Sequence, residues 1–204
     1  MIKSIIFDFG DVFINLDKAA TLRELKKQGI DEFSPEMLNR NMEYEKGNFA
    51  SEEFVQIYLN QFPDLSEENF RVCWNSVLMD FPEYRLDFIK KLSEEGKFLL
   101  ILLSNTNEIH IDWVKENVPF FEEFRNCFDA FYLSQEINLR KPDTSIFDYV
   151  IKKHNLIPEE TLFIDDTFEN TEAAAKLGIK TWTIDPQKED VVDLFRIKKE
   201  YFDN

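Results

Sequence analysis

Two kinds of hydrophobic pattern alternate along the chain, and their order predicts the fold. Residues 2–8 form an apolar run that stops at Asp8, and "KFLLILLSNTN" is a second run that stops at Ser104 and Asn105. "FDAFYLS", "TLFIDD" and "IKTWTI" follow as third, fourth and fifth candidate strands. Such short continuous runs suit strands buried on both faces. Between them, apolar residues recur at helical spacing, and Gly96 and Gly178 stand where helices would end. Strands alternating with helices predict an α/β fold, a Rossmann-like three-layer arrangement around a parallel sheet.

The alternation is interrupted once. From residue 17 to 87 the signals are helical: Ser34-Pro35-Glu36, Ser51-Glu52-Glu53 and Ser66-Glu67-Glu68 each place an N-cap candidate before acidic first-turn residues. The expected organisation is a core of residues 1–16 and 88–204, with an α-helical cap, 17–87, inserted after the first strand.

The strand ends gather chemistry. Asp8, Ser104-Asn105 and Asp165-Asp166 each end a candidate strand, and in open parallel sheets ligands bind beyond those carboxyl ends. Lys141, in the loop "NLRKPD", is expected at the same edge. Each residue has a plainer reading. Asp8 also reads as a turn former, although the other strand ends favour an attacking group; Ser104-Asn105 reads as ordinary turn chemistry, and Lys141 as a solvated loop charge. Adjacent Asp165 and Asp166 are harder to explain without a cation, because neighbouring carboxylates repel.

Composition limits the partners. Forty acidic residues against 24 basic ones give a formal charge of −16, which opposes general binding to nucleic acid or anionic membranes. No apolar stretch approaches the ~20 residues needed to span a bilayer. The N-terminus lacks a signal-peptide pattern, and Cys73 and Cys127 stand outside any metal-ligand spacing. Reduced thiols and a cytoplasmic location are expected. The 21 phenylalanines, spread throughout, read as core, and His110 and His154 as surface or packing residues.

"FDFGDV", "LLSNT", "RKPD" and "FIDDTFENTEAA", in that order, resemble the four motifs of the haloacid dehalogenase superfamily of aspartate-nucleophile hydrolases. "SNTNEIH" and "SQEINLRKPD" more particularly resemble the subfamily IA branch containing sugar-phosphate phosphatases. The resemblance implies a phosphatase acting on a small phosphorylated metabolite, with Asp8 attacking phosphorus and Lys141 stabilising both nucleophile and phosphoryl group. Ser104 and the Asn105 amide would bind phosphate. It implies Mg²⁺ held by Asp8, the Gly10 carbonyl and Asp166, with Asp165 and Asn170 behind them.

One position departs from the pattern. The superfamily's phosphatases usually carry a second aspartate two residues after the nucleophile as general acid and base, where this chain has Gly10. The branch it resembles also carries glycine there. Asp11, Glu45 or metal-bound water are candidate replacements, and losing a positioned acid costs on the order of 10²–10⁴ in rate. "YEKGNF" is a candidate cavity-facing segment, with Glu45 or Lys46 at the leaving group. Two alternatives follow from Gly10: a 2-haloacid dehalogenase, or a phosphate-binding regulatory protein with little turnover.

Overall fold

A computed structural model describes residues 1–202. Five parallel strands, β1 (Ser4–Phe7), β2 (Leu99–Ser104), β3 (Ala130–Leu133), β4 (Thr161–Asp165) and β5 (Lys180–Thr183), lie in the order β3-β2-β1-β4-β5. The strands are shorter than the apolar runs; flanking residues such as Phe9 and Phe128 pack in the same core without ladder pairing. Alternation along β1 sends Ile5 and Phe7 into one cluster and Ile6 into another, so both faces are covered. Ile5, Ile6 and Phe7 are fully buried, and each contributes roughly 1.5–3 kcal/mol of burial free energy. The phenylalanines concentrate on the Phe7 face, where Phe9, Phe13, Phe81 and Phe124 meet ring to ring.

Four helices follow β1: α1 (Ala20–Lys26), α2 (Pro35–Glu45), α3 (Ser51–Gln61) and α4 (Glu67–Asn75). They share their own apolar cluster, centred on Tyr44, Phe54, Tyr58, Phe70 and Trp74. Ser34 and Ser66 cap α2 and α4 through Met37 N and Asn69 N. Ser51 does not cap α3. Ala50 holds that position, while the Ser51 hydroxyl donates to Glu108 and contacts Tyr44 Oη at 2.7 Å. A buried partner outcompeted local capping.

The chain returns to the sheet through α5 (Glu83–Glu95), which ends on Gly96 in the left-handed region, φ 59°. Its outward and return linkers pair: Asn15 N and Asp17 N donate to Asp80 O and Val77 O, and Met79 N donates to Asn15 O. Buried Arg85 braces this ribbon, reaching Phe13 O, Asn15 Oδ1 and Asp190 Oδ2. The core is completed by α6 (Glu108–Asn117), α7 (Phe121–Arg125), α8 (Ser134–Ile137), α9 (Thr144–His154), α10 (Phe168–Ala175) and α11 (Leu194–Ile197). Among the described residues, no helix is long and apolar enough to cross a membrane. Cys73 and Cys127 are free and buried.

The helical cluster and the sheet unit meet at α6. Ile109 packs into the helical cluster, and His110 stacks on Trp74. Both nitrogens of His110 are engaged: Asn107 Nδ2 donates to Nδ1 (3.0 Å), and Nε2–H donates to Trp74 O (3.1 Å). Protonating Nδ1 would set two donors against each other, and burial already lowers the ring's pKa to about 4. The unfolded chain, with an ordinary histidine, takes that proton near pH 6.5. Stability from this site is therefore full above pH 6.5 and falls as pH drops towards 4. In urea unfolding, wild type should lose about 2–3 kcal/mol more than His110→Gln between pH 7 and 4. Parallel pH curves would contradict this account.

Candidate active site

The turn after β1 is built by its own backbone. Phe9 O accepts from Phe13 N and Ile14 N, Asp11 N donates to Ile14 O, and Asp11 adopts φ 54°. Asp8, immediately after β1, is buried and hydrogen-bonded through its amide to Ile164 O of β4. β4 ends at Asp165, so β1 and β4, as neighbours, bring Asp8, Asp165 and Asp166 together. One carboxylate oxygen from each lies within 4.8 Å of the others.

Lys141 is fully buried between them, its Nζ 2.8 Å from Asp8 Oδ1 and 2.7 Å from Asp165 Oδ2. Its backbone is fixed by the Asn105 side chain at the end of β2. Asn105 Oδ1 accepts from Lys141 N, and Asn105 Nδ2 donates to Lys141 O. Ser104 ends β2 beside it, buried, with its hydroxyl directed to Asn105 O at 3.4 Å. Three strand ends and one loop thus converge, as the sequence pattern predicts.

Asp165 and Asp166 differ in what they can still bind. Asp165 Oδ1 accepts from Thr167 N (2.8 Å), Asn170 Nδ2 spans both its oxygens (3.1 and 3.0 Å), and Lys141 holds Oδ2. Asp165 is saturated. Asp166 Oδ2 instead meets Lys18, which also reaches Asp11 Oδ2 at 3.1 Å. The other Asp11 oxygen accepts from Leu16 N. Asp11 is thereby engaged at both oxygens. A Cβ at Gly10 would stand 2.7 Å from Leu16 Cδ1, so Leu16 occupies the space a side chain there would need.

The electrostatics suit a divalent cation. Four carboxylates, Asp8, Asp11, Asp165 and Asp166, face two ammonium groups, Lys18 and Lys141. Burial pushes the Asp8 carboxyl up to about 7 from an ordinary 3.8, with Lys141 offsetting this only in part. Burial likewise raises Asp166 despite Lys18. Burial opposes the Lys141 charge, but Asp165 and Asp8 prevail and hold its pKa above the ordinary lysine value. A doubly charged ion beside Asp8 and Asp166 would relieve the strain on both carboxylates. The donor set fits oxygen-loving Mg²⁺.

Asp8, Gly10, Asn105, Lys141 and Asp166 line a cavity of about 540 Å³, which Lys18, Glu45 and Arg140 also line. Glu45 ends α2 and pairs with Arg140 Nε, while Lys46 turns away towards Asp143 at 3.6 Å. Asn138 Nδ2 donates to Lys46 O, securing the same turn. A larger apolar cavity, about 670 Å³, opens beside Ile2 and Phe98 where β1 and β2 begin, and holds none of these groups. Lys18 and Arg140 escape notice in the sequence. Arg140 sits inside a quoted motif without an assigned task, and nothing in the spacing brings Lys18 to Asp166.

A haloacid dehalogenase-like hydrolase family model matches residues 2–178, and the chain belongs to that family. The D-ribitol-5-phosphate phosphatase of Bacteroides thetaiotaomicron is 30% identical over 192 residues, covering 89% of this chain and 91% of that protein. A HAD family enzyme from Bacteroides thetaiotaomicron, solved in complex with magnesium and inorganic phosphate, superposes with TM-score 0.82. It is 35% identical, covering 96% of this chain and all of that one. A HAD-like family hydrolase from Porphyromonas gingivalis gives TM-score 0.84 at 27% identity, over the full length of both chains.

Gly47 sets how the turn carrying Glu45 meets the sheet unit. It has φ 73°, and a Cβ there would stand 2.2 Å from Gln135 O in α8. Gly47→Ala should destabilise the protein by about 1–3 kcal/mol, measured by urea unfolding. A change within about 0.5 kcal/mol would show that the turn relaxes freely.

Proposed function

We propose that the protein is a Mg²⁺-dependent phosphatase that hydrolyses a small, hydroxyl-rich phosphate ester, a sugar or polyol phosphate, through an aspartyl-phosphate on Asp8. The observation that carries this reading is the convergence of Asp8, Asp165 and Asp166 on one another with Lys141 buried among them. It draws support from family membership and from the magnesium- and phosphate-bound relative.

In this reading Asp8 attacks phosphorus in line with the leaving oxygen, the ester P–O bond breaks as the phosphoryl group passes to the carboxylate, and the departing alkoxide takes its proton from water. A second water then cleaves the aspartyl-phosphate, releasing inorganic phosphate and restoring Asp8. Lys141 neutralises charge on nucleophile and phosphoryl oxygens; its ties to Asp165 and Asn105 fix it in place beforehand. Ser104 and the Asn105 amide donate to phosphate. Asp8, the Gly10 carbonyl and Asp166 would hold Mg²⁺, whose positive charge lets an anionic nucleophile approach an anionic ester. Asp165 and Asn170 orient their neighbours without binding the ion, in keeping with the saturation of Asp165.

Helices α1–α4 form the cap of residues 17–87, and Glu45 and Arg140 frame the leaving-group side of the cavity. Polar groups there suit the hydroxyls of a small ester. The relative named for D-ribitol 5-phosphate supports an open-chain or sugar backbone of that size. Gly10 offers no proton and Asp11 is engaged, so turnover should slow as the leaving group becomes more basic.

Initial rates over a panel of phosphate esters, including D-ribitol 5-phosphate, test the reading in Mg²⁺ and in chelator. Native protein should hydrolyse at least one small polyol or sugar phosphate only with Mg²⁺. Asp8→Asn should lose about 10³-fold or more in kcat. Substantial Mg²⁺-dependent turnover by Asp8→Asn would remove Asp8 as nucleophile. Phosphate binding without hydrolysis of any ester would favour a regulatory binding protein, the reading to which Gly10 and Leu16 lend weight.

A further inference from the structure

The two ammonium groups in the site are held in opposite ways. Lys141 is wholly buried, tied to two carboxylates at 2.8 and 2.7 Å, with the Phe163 ring 5.3 Å away. Lys18 has a side chain 58% exposed and lines the cavity. Its Nζ touches Asp166 Oδ2 and Asp11 Oδ2, the outer carboxylates of the cluster. Its backbone follows the linker ribbon directly, and Asp17, tied to Val77 O, Ala19 N and Arg23, anchors the position. The side chain can swing out to solvent without moving that ribbon.

Asp166 is the unsaturated member of the adjacent pair, so a divalent cation joining Asp8 to Asp166 competes with Lys18 for Asp166. We infer that Lys18 is a built-in counter-cation that occupies the acidic site before the metal arrives and yields it when Mg²⁺ binds. Lys18 then sets the metal affinity: it shields Asp166 and Asp11 from mutual repulsion in the metal-free protein and opposes the incoming ion. It acts on the metal through Asp166 and is a positioning residue. Lys141, tied to Asp8 and Asp165 and enclosed, stays in place.

This inference rests on the Mg²⁺ site proposed above, and calorimetric titration of substrate-free protein with Mg²⁺ separates the two. Lys18→Met should bind Mg²⁺ roughly tenfold more tightly than wild type. That is the low end of what one charge at ion-pair distance does to a carboxylate's affinity for another cation, the proton. Lys18→Arg, which keeps the charge, should stay near wild type. Thermal unfolding provides a second readout: Lys18→Met should melt below wild type in chelator and gain more from added Mg²⁺. Equal or weaker Mg²⁺ binding by Lys18→Met overturns the role of Lys18 alone. Absence of Mg²⁺ binding in wild type and variant alike overturns the metal site itself, and this inference with it.

Discussion

Everything in the site is organised around one buried ammonium group. A lone Lys141 in this position would cost several kcal/mol in lost hydration; Asp8 and Asp165 repay it only because both reach Nζ at hydrogen-bond distance. Those carboxylates belong to the ends of β1 and β4, and the lysine's backbone is fixed by Asn105 at the end of β2. Losing Lys141 would leave two carboxylates facing each other in the protein interior, and losing Asp8 or Asp165 would leave the buried lysine a single anionic partner. Three strands are therefore held in register at the same edge by electrostatics, as well as by the apolar faces beneath them.

That constraint separates the roles of two adjacent aspartates. Asp165 is consumed by Lys141, Asn170 and Thr167 N, and Asp166 keeps an oxygen paired with the largely exposed Lys18. The cluster has an inner half closed by hydrogen bonds and an outer half covered by a largely exposed lysine. In the proposed reaction, catalysis by positioning draws on the first, with Asp8 aimed before an ester binds. Binding and release of a divalent ion need the second.

Much of this was legible in the residues. Buried parallel strands read as apolar runs, and their polar terminators, Asp8, Ser104-Asn105 and Asp165-Asp166, mark one edge whatever the helices between them do. Helix caps were legible where the serine had no better partner, at Ser34 and Ser66, and misleading at Ser51, whose hydroxyl faces Glu108 and Tyr44 across the chain. Lys18 and Arg140 were hidden for the same reason. A long cationic side chain carries no periodic signal, and its partner is chosen by tertiary structure. The fate of Asp11 was equally hidden: its left-handed backbone and its bond from Leu16 N arise from how the turn closes.

Diffraction from crystals soaked in Mn²⁺, used as an anomalous stand-in for Mg²⁺, tests the central claim most directly. The account predicts one ion peak bridging Asp8 and Asp166, Asp165 still on Lys141, and Lys18 withdrawn from Asp166. An ion seated on Asp165, or Asp8 and Asp166 binding no common ion, would contradict it.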